Sequence, residues 1–413
     1  MTQPAVSVIV VSKGRGLSLA LTLTGLIRQL YAPYEIIVVA DAEGISTVKA
    51  MWLEDKVKAV PFADPNISLA RNIGVSVAAG EVIAFLDDDA VPEPTWLTHL
   101  TAPFNDPQVS AVGGYVIGRN GISFQWTARA IDYAAREVAL DVEGDRPVAL
   151  TPPRGQAVKT EGTNMAFRRS DLAQVGGFDP AYHFYLDDAD LNMRLAKAGR
   201  VTAIAPLAQV HHAFAPSPRR GADRVPRDLY EIGASLQVYL RRHCPEAERA
   251  AVIDQFRADQ QARLIRHLIT GGLEPRDVTR LRNRLDEGLA AGLGRVQYRL
   301  PELPHPSEPF LPFESRATQP GTVIAGRWFE ARRLRDRAAR RASRGEITSL
   351  FLFSPNTLFH TVKMTPQGVW EQRGGLWGRS LRSDPIFRPT TFRRRMLREI
   401  ARVAKVRGIP REN

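Results

Sequence analysis

Two apolar runs near the start of the chain, Ala5–Val11 (AVSVIVV) and Tyr34–Ala40 (YEIIVVA), constrain the fold more than any other feature. Each is dominated by β-branched residues without polar alternation, which suits a strand buried on both faces. Between them Leu19, Leu23, Leu26, Ile27 and Leu30 recur at helical spacing, so 17–30 reads as a helix. A strand, a helix and a second strand joined this tightly make a βαβ unit with parallel strands. The class is therefore α/β, a sheet flanked by helices. The pattern goes on: 68–79 reads as a helix closing at Gly80, and Glu81–Leu86 (EVIAFL) as a strand running into Asp87, Asp88 and Asp89. Val109–Ile117 and Thr163–Arg168 read as further strands. The Pro-, Gly- and charge-rich segment 141–161 reads as a mobile loop. A helix is expected over Asp187–Lys197, then two short extended pieces, 201–205 and 208–211.

After about residue 225 the texture changes. Three helices are expected over 229–242, 245–270 and 275–291. Six prolines between Pro301 and Pro320 mark an extended linker. A basic helix over 327–344 places Trp328, Ala331, Leu334, Ala338 and Ala342 on one side. Beyond it come a strand (347–353), a hairpin around 366–368 and a last basic helix (391–406). Trp370 and Trp377 read as the core of that hairpin, with a sugar contact as the other possibility. The expected divisions are 1–222, a helical region 223–300, the linker 301–320 and a basic α+β extension 321–413. The 413 residues suffice for such an arrangement.

Charge follows the same division. Residues 1–212 hold 18 Lys and Arg against 23 Asp and Glu, a net −5, whereas 213–413 hold 38 against 21, a net +17. Cys244 is the only cysteine, which excludes an internal disulfide and a zinc knuckle. The first residues lack a signal-peptide pattern, and no stretch approaches the roughly 20 apolar residues of a membrane span. A cytoplasmic protein is the expectation. No nucleic-acid motif accompanies the basic half, and no nucleic-acid partner is expected.

Ligands of parallel α/β sheets gather at the carboxyl ends of strands, where Ser12–Arg15, Asp41 and Asp87–Asp89 fall. Three adjacent carboxylates raise one another's proton affinity unless a cation is present, and Mg²⁺ or Mn²⁺ takes such oxygen ligands together with a substrate phosphate. Asp187, Asp188 and Asp190 open a helix, where acids also serve as caps; Asp190 and Arg194 are an (i, i+4) pair. His211 and His212 follow a strand, and an imidazole beside carboxylates suits Mn²⁺. Arg71 can neutralise a diphosphate or pair with an acid. Gly14 and Gly16 do not complete a dinucleotide fingerprint, and no Walker-type lysine loop exists.

The blocks VSVIVVSKGR, EIIVVAD, NISLARNIGVSVAAGEVIAFLDDD, GTNMAFRRSDLAQVGGFDPAYHFYLDDADLNMRLAKAG and PLAQVHH, in this order, resemble family-2 glycosyltransferases over about residues 5–215. The resemblance implies the glycosyltransferase A-type fold, a Rossmann-like mixed sheet. It implies that Val11, Ser12, Arg15, Asp41, Arg71, Asp87 and Asp88 bind a nucleoside-diphosphate sugar, UDP in first place. It assigns Asp89 and His212 to Mn²⁺ or Mg²⁺, with His211 as the rival of His212, and Asp188 as catalytic base, with Asp187 as its rival. One aspartate stands at Asp41 where the family usually has two, and Ser12-Lys13 replaces the usual Thr/Ser-Tyr-Asn run. The Gln-x-x-Arg-Trp block of processive members is absent, which favours single addition to a glycan or lipid-linked acceptor.

The implied function is inverting, metal-dependent sugar transfer in cell-surface polysaccharide or glycoconjugate synthesis. The alternatives are a sugar-nucleotide nucleotidyltransferase and a non-catalytic binding or scaffold protein. For the basic half, a helix packed on the enzyme with a solvated face competes with attraction to an anionic membrane surface, which would make the protein peripheral.

Overall fold

The computed structural model describes residues 3–213, 217–221, 223–297, 299–317 and 319–410. The chain opens with β1 (Val6–Ser12), α1 (Gly16–Leu26), β2 (Tyr34–Ala40), α2 (Ala42–Ala50), β3 (Lys58–Pro61), α3 (Ile67–Val77) and β4 (Val82–Asp87). β1 is parallel to both β2 and β4, and β3 extends the sheet beyond β2. Every residue of β2 is buried, as its unbroken apolar run requires. α1 stops four residues short of the expected Leu30. There the chain tightens through i→i+3 bonds (Arg28 N–H to Gly25 O, Gln29 N–H to Leu26 O), and the Leu30 N–H reaches Pro94 O instead. α2 and α3 are capped by the side chains of Asp41 and Asn66.

The second part of the sheet follows through β5 (Ala90–Pro92), α4 (Trp96–Thr101), β6 (Val109–Ile117) and β7 (Phe124–Trp126). Next come β8 (Arg129–Asp132), β9 (Glu137–Ala139), β10 (Val148–Leu150), β11 (Gln156–Lys159) and β12 (Asn164–Arg168), then α5 (Arg169–Gln174), α6 (Asp187–Lys197) and β13 (Val201–His212). The strand order is β10-β13-β6-β12-β4-β1-β2-β3. β12 is antiparallel to both β4 and β6, and β13 is parallel to β6, so β1, β4, β6 and β13 all end on one edge. Two expectations are corrected here. The segment 141–161, expected as a loop, contains β10 and β11, which find their partners β13 and β8 outside it. The two extended pieces at 201–211 are one strand, kept continuous across a register shift between Ala205 and Gln209.

Helices α7 (Tyr230–His243), α8 (Glu246–Ile269) and α9 (Pro275–Gly294) share one apolar cluster with Tyr182, Leu186, Ala189 and Met193 around α6. Residues 299–317 hold no regular element, as their prolines predict, yet they do not cross open solvent. Backbone N–H groups of Leu303, Ser307, Phe313 and Arg316 donate to carbonyls of Ala173, Ser76, Tyr34 and Ile27, and Leu311 N–H donates to the buried Glu35 carboxylate. The Phe313 ring sits in the main core against Tyr34. The segment is a strap.

The last part is a small sheet of order β14-β15-β17-β16, built from β14 (Gln319–Arg327), β15 (Glu346–Ser354), β16 (Thr361–Met364) and β17 (Val369–Gly375). β14, β15 and β17 are parallel, and β16 closes the expected hairpin with β17. α10 (Ala331–Ser343) buries Leu334, Ala338 and Ala342 at i, i+4 and i+8. Its expected start at Arg327 is corrected: β14 stays paired with β15 as far as Arg327, and Trp328 is 59% exposed rather than packed. α11 (Phe392–Arg407) begins at the Thr391 cap and ends at Gly408 in the left-handed region. This module is docked on the first sheet through Arg407, which is fully buried and bonds both oxygens of Glu93.

Candidate active site

Two clusters of acids meet at the edge where β1, β4, β6 and β13 end. Asp87 closes β4, and Asp88 and Asp89 form the turn into β5. Both Asp88 oxygens are taken, one by the Ser12 hydroxyl (2.8 Å) and one by the Arg15 guanidinium (2.9 Å). Burial, offset in part by Arg15, pushes Asp88 up to about 6 and also raises Asp87. Asp87, Asp89 and His212 present one ligand atom each, all within 4.8 Å of one another. His212 Nε2 lies 3.2 Å from Asp89, and its Nδ1 faces the Gln125 side-chain oxygen at 3.4 Å. Two carboxylates and an imidazole fit Mn²⁺ or Mg²⁺, and the partly exposed Asp87 leaves a side open for substrate oxygens. Adjacent strand residues face opposite ways, so His211 points away from the acids. It bonds Glu93 at 2.7 Å and packs on Trp370. Trp370 is thus core, as expected of the hairpin.

The second cluster opens α6. Tyr185 and Leu186 both lie in the left-handed region (φ 74° and 64°), a strained conformation for two bulky residues just before the acids. Asp187 is buried and ion-paired with Arg71; burial, opposed by Arg71 and reinforced by Asp188, pushes it up to about 6. Asp188 is only half-buried. Its oxygens accept from the backbone N–H groups of Gly162 (2.9 Å) and Ala189 (2.7 Å), which leaves lone pairs for a further proton or hydroxyl. Asp190 turns inward to Arg194 and His243 and is structural.

Arg71 joins the two clusters. It is buried against the rings of Phe85 and Phe178, pairs with Asp187 and lies 3.5 Å from Asp87. A second bond runs to Gly162 O (3.1 Å). A Cβ at Gly162 would stand 2.6 Å from this guanidinium, so the position accepts only glycine without displacing Arg71. Asp41 lies apart from the acids, beyond β2. It bonds Gly14 and Gly44 N–H groups and lines a cleft of about 600 Å³ with Ile45, Lys49, Phe62 and Ala63. Val11 is half-buried at the end of β1, in register with Val39 and Asp87.

Several residues at the site carry no sequence signal. Lys159 and Glu161 pair with each other (3.1 Å) and with Glu137 and Arg129, and this network lies beside Asp188. The only available hint is that Lys159 and Arg129 stand in register across β11 and β8, a pairing invisible before the strands are known. Arg220 also lies within electrostatic reach of Asp89 and Arg15.

A family model described as "Glycosyltransferase like family 2" matches residues 4–230. Among curated relatives, the chain is 30% identical over 167 residues to a glucosyl-dolichyl phosphate glucuronosyltransferase of Haloferax volcanii, covering 38% of this chain and 50% of that protein. It is 29% identical over 247 residues to an uncharacterized glycosyltransferase, YwdF, of Bacillus subtilis (57% and 82%). It is 46% identical over 75 residues to an N-acetylglucosaminyl-diphospho-decaprenol L-rhamnosyltransferase of Mycobacterium tuberculosis (18% and 24%). The match thus spans about half the length of the first of these relatives. Among solved structures, a Pyrobaculum calidifontis mannosyltransferase in complex with GDP-Man and Mn²⁺ aligns with a TM-score of 0.42 at 18% identity, covering 71% of this chain and 88% of that one.

Proposed function

The chain belongs to glycosyltransferase family 2, and on that footing we propose that it moves a sugar from a nucleoside-diphosphate donor to an acceptor hydroxyl in one inverting displacement. The observation that carries this reading is the pairing of the two acid clusters across Arg71. One presents a ligand triad, and the other a half-exposed carboxylate free of any cation within ion-pair distance among the described residues.

Asp188 accepts the acceptor hydroxyl proton as that oxygen attacks the anomeric carbon. The bond from that carbon to the diphosphate breaks, and the nucleoside diphosphate departs with the electron pair. A divalent cation held by Asp87, Asp89 and His212 would supply positive charge beside the departing diphosphate. Arg15, a quarter exposed beside Asp88, adds charge to the same side. Arg71 opposes the rise in proton affinity that burial gives Asp187 and Asp87, and Asp187, ion-paired with it, is the weaker candidate for base. The cleft at Asp41 is the proposed seat of the nucleobase, with UDP the first donor to try. The prenyl-linked substrates named for two of the relatives favour a lipid-linked acceptor, single addition and work at a membrane surface.

Asp188→Asn keeps the side-chain shape and one acceptor oxygen for the backbone N–H groups while removing the base. Transfer should fall by at least about 100-fold with donor-induced thermal stabilisation retained. Near wild-type transfer by the folded variant would overturn the assignment. A thermal-shift series with UDP-, GDP- and dTDP-sugars, with and without Mn²⁺, identifies the donor. Release of a nucleoside diphosphate rather than pyrophosphate separates this reading from a nucleotidyltransferase, and turnover of any kind separates it from a scaffold.

A further inference from the structure

The exposed apolar residues of the C-terminal module are not scattered. β14, β15 and β17 are parallel and in register, with Arg327 opposite Phe353 and Ser354 opposite Gly375, so their carboxyl ends form one edge. Trp328 and Phe329 follow β14 at that edge, Leu358 and Phe359 follow β15, and Ile386 and Phe387 lie in the segment after β17. Each of the six is more than half exposed. They belong together: Leu358 O accepts from Gly375 N–H, Trp377 O accepts from Arg388 N–H, and the Trp377 and Phe387 rings are 6.5 Å apart. Phe392, at the start of α11, lies under Arg327 at the same edge.

The charge there is of one sign. Arg382, Arg388, Arg393 and Arg394 are exposed among these residues, and Arg379 lies over the Phe359 ring. The acids at this edge are engaged, Asp384 by Arg398 and Glu330 by Arg333. The exposed apolar tips are thus set between arginines. They match a lipid interface, where rings and aliphatic tips sit at headgroup depth and guanidinium groups meet phosphates.

The position of the edge is also informative. α11 runs from it to Arg407, a 16-residue helix of about 24 Å, so the edge projects away from the Glu93 joint. Yet from Phe359 the chain passes directly into β16, where Val362 N–H bonds Asn120 O. Asn120 lies just beyond the end of β6, whose Ile117 pairs with His211. The strand that leaves the apolar edge is thus tied to the loop beyond the end of β6.

We propose that this edge docks the enzyme on an anionic phospholipid surface, its apolar tips entering the interface and its arginines binding headgroup phosphates. This deepens the reading of a membrane-linked acceptor and rests on it only for its purpose. The test uses the full chain and vesicles of phosphatidylglycerol mixed with phosphatidylcholine, or of phosphatidylcholine alone, in a flotation assay.

The wild type should float with the anionic vesicles and bind the neutral ones at least about tenfold less. The variant L358S/F359S/I386S/F387S should lose about tenfold or more of the anionic binding, and R382Q/R388Q/R393Q/R394Q should lose a similar part together with the salt dependence. Metal-dependent donor hydrolysis and the unfolding temperature, unchanged in both variants, report the active site and the fold separately. A wild type that ignores anionic vesicles, or an apolar variant that floats as well as the wild type, overturns the proposal. So does a patch whose mutation abolishes self-association in sedimentation without altering vesicle binding.

Discussion

Asp88 shows at the scale of one residue how the proposed donor site costs stability. Its carboxylate is held by Ser12 and Arg15, yet burial keeps its affinity for a proton high, at about 6. A group whose folded pKa lies above its unfolded value near 3.8 gives the folded state extra protons between those pH values, so the metal-free fold gains stability from this residue as the pH drops from 7 towards 4. Asp88→Asn mimics the protonated acid. In chelator, the variant should be at least as stable as the wild type at pH 7.5, and the advantage should fade by pH 4.5. Denaturant unfolding at the two pH values measures both, and an advantage that grows on acidification would contradict this account. That three acids end a strand is legible in the sequence because the feature is local. The role of Arg71 was only half legible: an arginine near the acids was expected, but its commitment to Asp187 and Asp87 depends on chain segments far apart in sequence. That His212 faces Asp89 while His211 faces Glu93 follows from the strand's alternation, which needs the strand's true length.

At the scale of elements, what could be read from sequence depended on whether an element's partners were local. The βαβ start and the α6 helix carry their own periodicity, and α6 was expected over the range it occupies. β10 and β11 were hidden because short strands beside Pro and Gly look like loop until their partners are known. The start of α10 was misplaced because a run of arginine and alanine has helical propensity throughout, while pairing with β15 decided where the strand ended. The strap is the sharpest case. Its prolines announced an extended segment, but nothing local showed that Phe313 fills the core beside Tyr34. Phe313→Ala should therefore cost about 3 kcal/mol in denaturant unfolding, as a cavity in a packed core does. Pro309→Ala, in an exposed stretch of the same strap, should change stability by no more than about 0.5 kcal/mol. Equal, small effects from both would mean that the strap lies on the surface without bracing it.

For the whole molecule, the uneven charge acquires a structural meaning at the joint between the two sheets. The basic module presents one arginine, Arg407, to the acidic half, where it bonds Glu93, while Ser349 and the Trp370 ring of its own module hold it from behind. Glu93 also bonds His211, the neighbour of His212, so the module braces the strand that carries a proposed metal ligand. Burial alone would raise Glu93, but Arg407 and His211 bring it down to about 2. A depressed carboxylate contributes stability that is present above its unfolded pKa near 4.5 and is lost as the pH falls towards 2. Arg407→Met removes the partner and leaves a buried charge, at a cost of roughly 3–5 kcal/mol at pH 7. In the variant Glu93 can escape that cost by taking up a proton, and its pKa rises because burial is no longer opposed by Arg407. The gap between wild type and variant should therefore narrow as the pH is lowered from 7 to 4, since the variant is relieved there while the wild type still holds most of its ion pair. Unfolding curves of both proteins at the two pH values decide the matter. A gap of the same size at pH 4 would show that Arg407 acts by packing on Trp370 rather than by its charge on Glu93. Because Glu93, the partner of His211, loses in this variant the arginine that holds it, Mn²⁺-dependent stabilisation should weaken in parallel, linking the module to the proposed metal triad through β13.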